Sequence, residues 1–252
     1  MQQYLKTILA ITDQAEDIPK RYFRQKLDIE HKGDDSPVTI ADQACERFIR
    51  DGLAKHFPDH AILGEEFGEV TSDSAYQWII DPIDGTRSFI SGMPLYGMLI
   101  ALLERGGPVL GVVRMPELGE VYTGTKAGAF MNGAPISVSK VTALADAFLY
   151  INEGNKLATL MPTLFRTLCL SGRERRLGYD CYPHALVASG QIDACVDYDL
   201  QPYDYLPLVP IITAAGGVVT DWDGAPLTLK SDGRVVSAAT PELHRELLEM
   251  LG

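Results

Sequence analysis

A chain of 252 residues with a formal charge of -12 repels nucleic acid and anionic membranes, so neither is an expected partner. Hydrophobic residues make up 46% and charged residues 22%, the balance of a soluble globular protein built as one large domain or two closely packed halves. The four cysteines, Cys45, Cys169, Cys181 and Cys195, have the spacing of neither a zinc site nor a disulfide framework. They are expected as small buried hydrophobes in a reducing cytosol. The N-terminus lacks the apolar core of a signal peptide and no apolar run is long enough to span a membrane, which makes the cytoplasm the expected compartment.

Helical periodicity predicts a first amphipathic helix from about Tyr4 to Lys26. After the polar stretch HKGDDSPVTIAD, a second helix is expected to start at Asp42. It carries Cys45, Phe48, Ile49, Leu53 and Phe57 on its apolar face and ends at Pro58-Asp59. AILGEEFG reads as a short strand entering a loop. Trp78, Ile79 and Ile80 read as a buried strand that breaks at Asp81-Pro82 into a turn closed by Gly85. YGMLIALLER, PVLGVVRMP, GEVYTGTK and GAFMNGAPISV follow as strands separated by Gly and Pro turns. This meander makes the first half, residues 1–142, α+β.

From Ala143 the pattern alternates. AFLYI, RERRLG, IDACVDY and VVTDW read as strands. Helices are expected around Leu160 to Leu170, around Pro183 to Gly190, and in PYDYLPLVPIITAAGG. Residues 143–252 thus form a smaller α/β half, joined to the first without a flexible linker.

Asp81 and Asp84 stand three residues apart at the end of a buried strand. Pro82 restricts the backbone between them and Gly85 frees it after them. Such a segment can aim two carboxylates and the intervening carbonyl of Ile83 at one point, the oxygen-only environment that hard divalent cations take. Glu65 and Glu66 can complete the shell. The hydroxyl of Thr86 beside such a site can hold a water, and a carboxylate such as Asp42, accepting from that hydroxyl, would orient the water for attack on phosphorus. Taken alone, Asp-Pro-Ile-Asp-Gly is also an ordinary acidic turn. Turn chemistry does not account for the whole string WIIDPIDGT together with GEE and SPVTIAD.

KGDDSPVTIADQ, ILGEEFG, WIIDPIDGT and PYDYLPLVPIITAAGGVVTDWDG, spread over nearly the whole chain, together resemble the inositol monophosphatase family of magnesium-dependent, lithium-sensitive phosphatases. The resemblance implies a layered αβαβα sandwich, usually a homodimer, acting on a small phosphorylated metabolite. It implies metal ligation by Glu65, Asp81, the Ile83 carbonyl, Asp84 and Asp204, with two or three Mg2+ ions that Mn2+ can replace. It makes Thr86 and Asp42 the water-activating pair, counts Glu65 with them as catalytic, and places Lys32 near the metals. Gly85 and Thr86 would offer backbone amides to the phosphate. One departure is the bulky setting of Asp204, Tyr-Asp-Tyr-Leu-Pro, which bears on substrate fit.

DPIDGTRSFI, the turn Gly92-Met93-Pro94-Leu95-Tyr96-Gly97, LQPYD and GYDCY resemble the histidinol-phosphate phosphatases within that family. Histidinol phosphate carries an amine and an imidazole, which Asp180 and Asp197 can pair with, while Tyr182 or Tyr203 can stack on the ring. Arg87 would meet the phosphate or form a structural ion pair. The competing readings are an inositol 1-phosphatase, a broad small-metabolite phosphatase, and a non-catalytic metal-binding member. At residue level, Asp180 can instead cap the helix near Pro183. His184 reads as a plain helix residue with nothing clustered around it, and His31, His56, His60 and His244 read as surface residues. Arg173 to Arg176 read as a solvated strand edge, with a lesser reading that the segment reaches a neighbouring subunit's site.

Overall fold

The computed structural model describes residues 1–26, 30–31 and 37–252. The first amphipathic stretch forms two helices, α1 (Gln2–Ala15) and α2 (Asp17–Tyr22), rather than one reaching Lys26. Pro19 has no N–H to give to the carbonyl four residues back, so the helix ladder breaks there. A short ribbon of β1 (Glu30–His31) and β2 (Pro37–Val38) leads into α3 (Ile40–His56). Thr39, not Asp42, caps α3, and Asp42 sits on its first turn. The buried row is Ala41, Cys45, Ile49 and Leu53, while Phe48, expected on that face, lies one step off the row and is exposed.

The hairpin β3 (Ala61–Gly64) and β4 (Gly68–Val70) is followed by β5 (Tyr76–Asp84), which runs parallel to β3. A short helix, α4 (Thr86–Ser91), leads to the antiparallel meander β6 (Gly97–Glu104), β7 (Gly107–Met115), β8 (Glu120–Thr125), β9 (Gly128–Met131) and β10 (Ala134–Pro135). Together they make an eight-stranded sheet in the order β10-β9-β8-β7-β6-β5-β3-β4.

The second sheet opens with β11 (Phe148–Ile151). The helix expected around Leu160–Leu170 is α6 (Pro162–Leu170), and a further helix, α5 (Gly154–Leu160), precedes it, the two divided just before Pro162. Then follow β12 (Glu174–Leu177), α7 (Tyr182–Ala188), β13 (Ala194–Asp197), α8 (Pro202–Tyr205), α9 (Leu208–Ala214) and β14 (Val218–Asp221). Two further elements, β15 (Val235–Ala238) and α10 (Pro241–Leu251), complete it. The strand order is β12-β11-β13-β15-β14, with β11 parallel to both neighbours and β15 antiparallel to both of its own.

The five layers follow from which side chains each strand presents. Along β5, Trp78 and Ile80 face one way and Ile79 the other, the period of two that a strand imposes. Trp78 and Ile80 pack with Ile8 and Ile11 of α1 and Cys45, Ile49 and Leu53 of α3. Ile79 packs with Leu99 and Val113 against Ala185 of α7 and Ile211 and Ile212 of α9. On the far side of the small sheet, Leu149, Val196 and Val236 pack against Leu157 of α5, Leu168 of α6 and Leu243 and Leu247 of α10. The architecture is therefore the αβαβα sandwich, with α7–α9 as the middle layer.

Helix α9 seats on the large sheet through glycine. A Cβ on Gly124 would lie 2.3 Å from the backbone of Ile211, and one on Gly111 would lie 2.0 Å from the Pro207 carbonyl oxygen. Neither neighbour is a flexible side chain that can swing away. Gly124→Ala is expected to destabilise the fold by about 3 kcal/mol through this overpacking. Urea unfolding measures it, and a loss below about 0.5 kcal/mol would show that α9 is not held at that distance.

Candidate active site

The expected break of β5 at Asp81-Pro82 does not occur. The strand runs on to Asp84, and pairing with β6 shifts register between Asp81, opposite Leu99, and Asp84, opposite Gly97. Three steps on β5 match two on β6, so one extra residue is bulged. In a regular strand, side chains three apart point to opposite faces; the inserted residue lets both aspartates turn the same way. Pro82 is tolerated inside the bulge because a bulged residue need not donate to the ladder. Ile83 N donates to Asp81 Oδ1 at 3.0 Å, fixing that carboxylate.

Asp204 reaches the same point from the other half. It lies on the first turn of α8, where Gln201 N donates to its Oδ2 at 2.7 Å. Carboxylate oxygens of Asp81, Asp84 and Asp204 all lie within 4.8 Å of one another. Asp42 is held by the same local device on α3: Thr39 N donates to its Oδ2 at 2.9 Å and Thr39 Oγ1 at 2.6 Å. Its Oδ1 is left to accept from Thr86 Oγ1 at 3.2 Å. The Thr86 hydroxyl also lies 3.3 Å from the Ile83 carbonyl oxygen.

Glu65 sits half-buried in the β3–β4 turn, close enough to Asp81, Asp42 and Asp204 to act on their ionisation. That turn is pinned by Glu46, a residue the sequence reading did not single out. Glu46 is fully buried and accepts from Glu66 N at 2.7 Å and Phe67 N at 3.2 Å, while Arg50 Nε pairs with it at 2.6 Å. The available signal was a glutamate on the buried side of α3, next to Cys45.

The third wall is the turn 178–181. Asp180 stands in the left-handed region with φ 59°. Its Oδ2 accepts from Ser88 Oγ at 2.5 Å, and the following N–H, of Cys181, donates to Asp84 Oδ2 at 2.5 Å. Asp180 is thus no helix cap: Cys181 occupies the cap position of α7. Gly85 must lack a side chain here, since it has φ 85° and a Cβ on it would lie 2.5 Å from Asp180 Cγ.

Glu65, Asp81, Asp84, Thr86, Asp180 and Asp204 line a cavity of about 950 Å3 that also takes in Arg87, Glu153, Lys156, Tyr179, Asp199 and Tyr203, while Asp42 stands behind Thr86. Arg87 is exposed at its edge. Asp197, expected to meet a substrate cation, is buried behind the wall and does not line the cavity. Tyr198 N donates to its Oδ1, and Asn152 Nδ2 and His184 Nε2 take its Oδ2. Tyr182 likewise lies outside the cavity lining. Lys32 lies outside the described residues. His184 does not stand alone: it is fully buried between Ser237 and Asp197. His244 is buried against Thr220, and His60 accepts from Trp78 Nε1, so neither is a plain surface residue. Arg173 to Arg176 enter β12, an exposed edge strand.

Burial, then the charges of Glu65, Asp84 and Asp204, push the Asp81 carboxyl well above its usual range. Burial, then Asp180 and Asp204, do the same to Asp84. Desolvation, with Glu65 adding to it, raises Asp204 to about 8, and burial, with Asp197 and Glu153 adding to it, raises Asp180 to about 6. Like charges crowded out of water need protons or a cation. An all-oxygen donor set from Asp81, Asp84 and Asp204, with Glu65 and the Ile83 carbonyl alongside, fits a hard divalent cation and offers no soft ligand for another metal.

A family model described as the inositol monophosphatase family matches residues 1–251. The chain is 39% identical to the histidinol-phosphatase of Chlorobaculum parvum, over 98% of this chain and 96% of that one. It is 38% identical to the bifunctional phosphatase IMPL2, chloroplastic, of Arabidopsis thaliana, over 96% of this chain and 73% of that one. Among solved structures, an inositol monophosphatase from Zymomonas mobilis matches with a TM-score of 0.90 at 36% identity, over 99% of this chain and 98% of that one.

The raised carboxylates give the metal-free protein a signed pH dependence. Between the unfolded value of 3.8 and the folded values of about 6 for Asp180 and about 8 for Asp204, the folded state holds more protons than the unfolded one. Stability is therefore greatest at the acid end of that window and falls as pH rises toward 8. Thermal unfolding in the presence of a chelator is expected to show a lower midpoint at pH 8 than at pH 5.5, with Mg2+ restoring more at pH 8. A midpoint that rises over this interval would contradict the cluster's electrostatics.

Proposed function

We propose a substrate and a mechanism from one premise: the chain belongs to the inositol monophosphatase family. It is accordingly a metal-dependent phosphoric monoester hydrolase whose substrates are small phosphorylated metabolites. The substrate proposed is L-histidinol phosphate, hydrolysed to L-histidinol and phosphate. The observation that carries this reading is the Asp180 carboxylate on the cavity wall. It stands directly against Gly85, while Glu153 and Asp199 further along the lining are already paired with Lys156 Nζ at 3.0 and 2.9 Å. A carboxylate so placed suits a phosphate ester whose other end is cationic and offers less to a neutral polyol. The likeness to a histidinol-phosphatase over nearly the full length supports the same reading.

Glu65, Asp81, Asp84, Asp204 and the Ile83 carbonyl would hold Mg2+, with Mn2+ as a substitute. Bound there, the cation supplies Lewis-acid polarisation of the phosphoryl group and offsets the charge that builds on it. The chain's own part begins with Asp42. Its Oδ1 accepts the hydrogen bond of the Thr86 hydroxyl, which leaves that oxygen's lone pairs to accept from a water. The water is thereby held with a lone pair free for attack on phosphorus. The start of α4, where the Gly85 and Thr86 amides sit, would receive phosphate oxygens, and Arg87 at the cavity edge would add a cation. Asp180 would pair with the substrate's ammonium or imidazolium. A homodimer in the cytoplasm completes the proposal.

Phosphate release from histidinol phosphate and from inositol 1-phosphate, measured side by side with and without Mg2+, tests it. The expected result is a strong preference for histidinol phosphate that disappears with the metal; preference for inositol 1-phosphate would replace the substrate and keep the mechanism. In the same assay Asp180→Ala is expected to raise KM for histidinol phosphate more than about tenfold, the loss of one charged hydrogen bond. An equal change for both esters would leave Asp180 no part in selection.

A further inference from the structure

Behind the cavity wall, five residues distant in sequence form one buried polar chain. Ser237 on β15 meets His184 Nδ1 at 2.9 Å. His184 Nε2 meets Asp197 Oδ2 at 3.1 Å. Asn152 Nδ2 donates to that same Oδ2 at 2.6 Å and to the Asp180 carbonyl oxygen at 2.9 Å. Asp197 Oδ2 thus receives both the Asn152 amide and the His184 ring. His184, Asp197, Asn152 and Ser237 are all at least 98% buried.

Asn152 is the link that leaves this chain. Both groups facing its Nδ2 are pure acceptors, so the amide cannot be turned over without setting oxygen against oxygen. Its Oδ1 is buried with no hydrogen-bond partner among the described residues. Leaving an acceptor unpaired costs roughly 1–3 kcal/mol. A side chain serving only to fill the end of β11 would not carry that cost. What it holds is a strained turn: Asp180 is left-handed, and Gly178 at the turn's start has room for no Cβ, which would lie 2.5 Å from Asn152 Oδ1. The turn in question presents Asp180 to the cavity and the Cys181 N–H to Asp84.

We propose that Asn152 is a positioning residue that ties the buried His184–Asp197 pair to the turn 178–181. Through that turn it sets two working groups at once, the Asp84 carboxylate and the Asp180 wall. It touches neither substrate nor metal. Asp197 acts through it, which gives the buried aspartate a role other than direct pairing with substrate. The Asp180 arm rests on the histidinol phosphate reading; the Asp84 arm does not.

The test is calorimetric titration of Mg2+ into wild type and Asn152→Ala, with no substrate present, followed by steady-state kinetics. Loss of an outer hydrogen bond to a ligand's partner is expected to weaken Mg2+ binding about tenfold. KM for histidinol phosphate is expected to rise while kcat at saturating Mg2+ and substrate stays within about threefold. Asn152→Ser, which keeps a donor for one of the two acceptors, is expected to shift both in the same direction by less, and serves if Asn152→Ala does not fold. A lowered thermal midpoint with Mg2+ affinity and KM both unchanged in a folded variant would overturn the proposal and leave Asn152 a packing residue. Because the titration contains no ester, a failure of the histidinol phosphate reading shows only in the kinetics.

Discussion

Mutual repulsion among Asp81, Asp84 and Asp204 is the constraint that the rest of the site answers. Two unit charges 4 Å apart repel by about 4 kcal/mol at the effective dielectric of a protein near its surface. Asp81 and Asp84 are both largely withdrawn from water, and the third carboxylate comes from the other half of the chain. Holding them together without a cation requires protons, and their raised affinity for protons follows. The β-bulge at Asp81–Asp84, the first turn of α8 and the pinned β3–β4 turn all hold a carboxylate where it is disfavoured in the absence of positive charge. In a metal-dependent phosphatase, that disfavoured arrangement becomes affinity for the metal.

The same local device is used twice. Asp42 and Asp204 each occupy the third position of a helix and accept from the N–H of the residue before it. One carboxylate oxygen is spent on the helix end. At Asp42 the other oxygen faces Thr86. A capping motif thus does more than start a helix: it fixes the direction of an acid whose second oxygen is left for the site. The two halves meet at this point. The large sheet contributes the ends of β3 and β5, and the small sheet contributes α8 and the turn after β12.

Much of this was legible in sequence because it is local. WIIDPIDGT carries its hydrophobic strand, its bulge proline and its glycine in one run, and the meander after it is written in alternating strands and turns. The segments that mislead are those where a distant partner decides. Asp81-Pro82 looks like a strand end, and only pairing with Leu99 and Gly97 on β6 makes it a bulge. Asp180 looks like a helix cap, and only Ser88 and Gly85, some ninety residues away, turn it into a wall. His184 and Asp197 are thirteen residues apart and look unrelated until α7 packs on β13. Glu46 sits on the buried side of α3, and only the β3–β4 turn folding over it gives that carboxylate its partners. Each of these is a polar residue whose partner is distant along the chain, which periodicity does not encode.

The protons displaced when a divalent cation enters the carboxylate cluster are the most direct measure of what that cluster is built for. Calorimetric titration of Mg2+ at pH 7, repeated in buffers of different ionisation enthalpy, measures it. Carboxylates held protonated by burial and by one another must give up protons to bind a metal, so the heat is predicted to change with buffer, reporting proton release. Binding whose heat is independent of buffer, or no binding at all, would contradict the claim that this cluster is assembled around a cation.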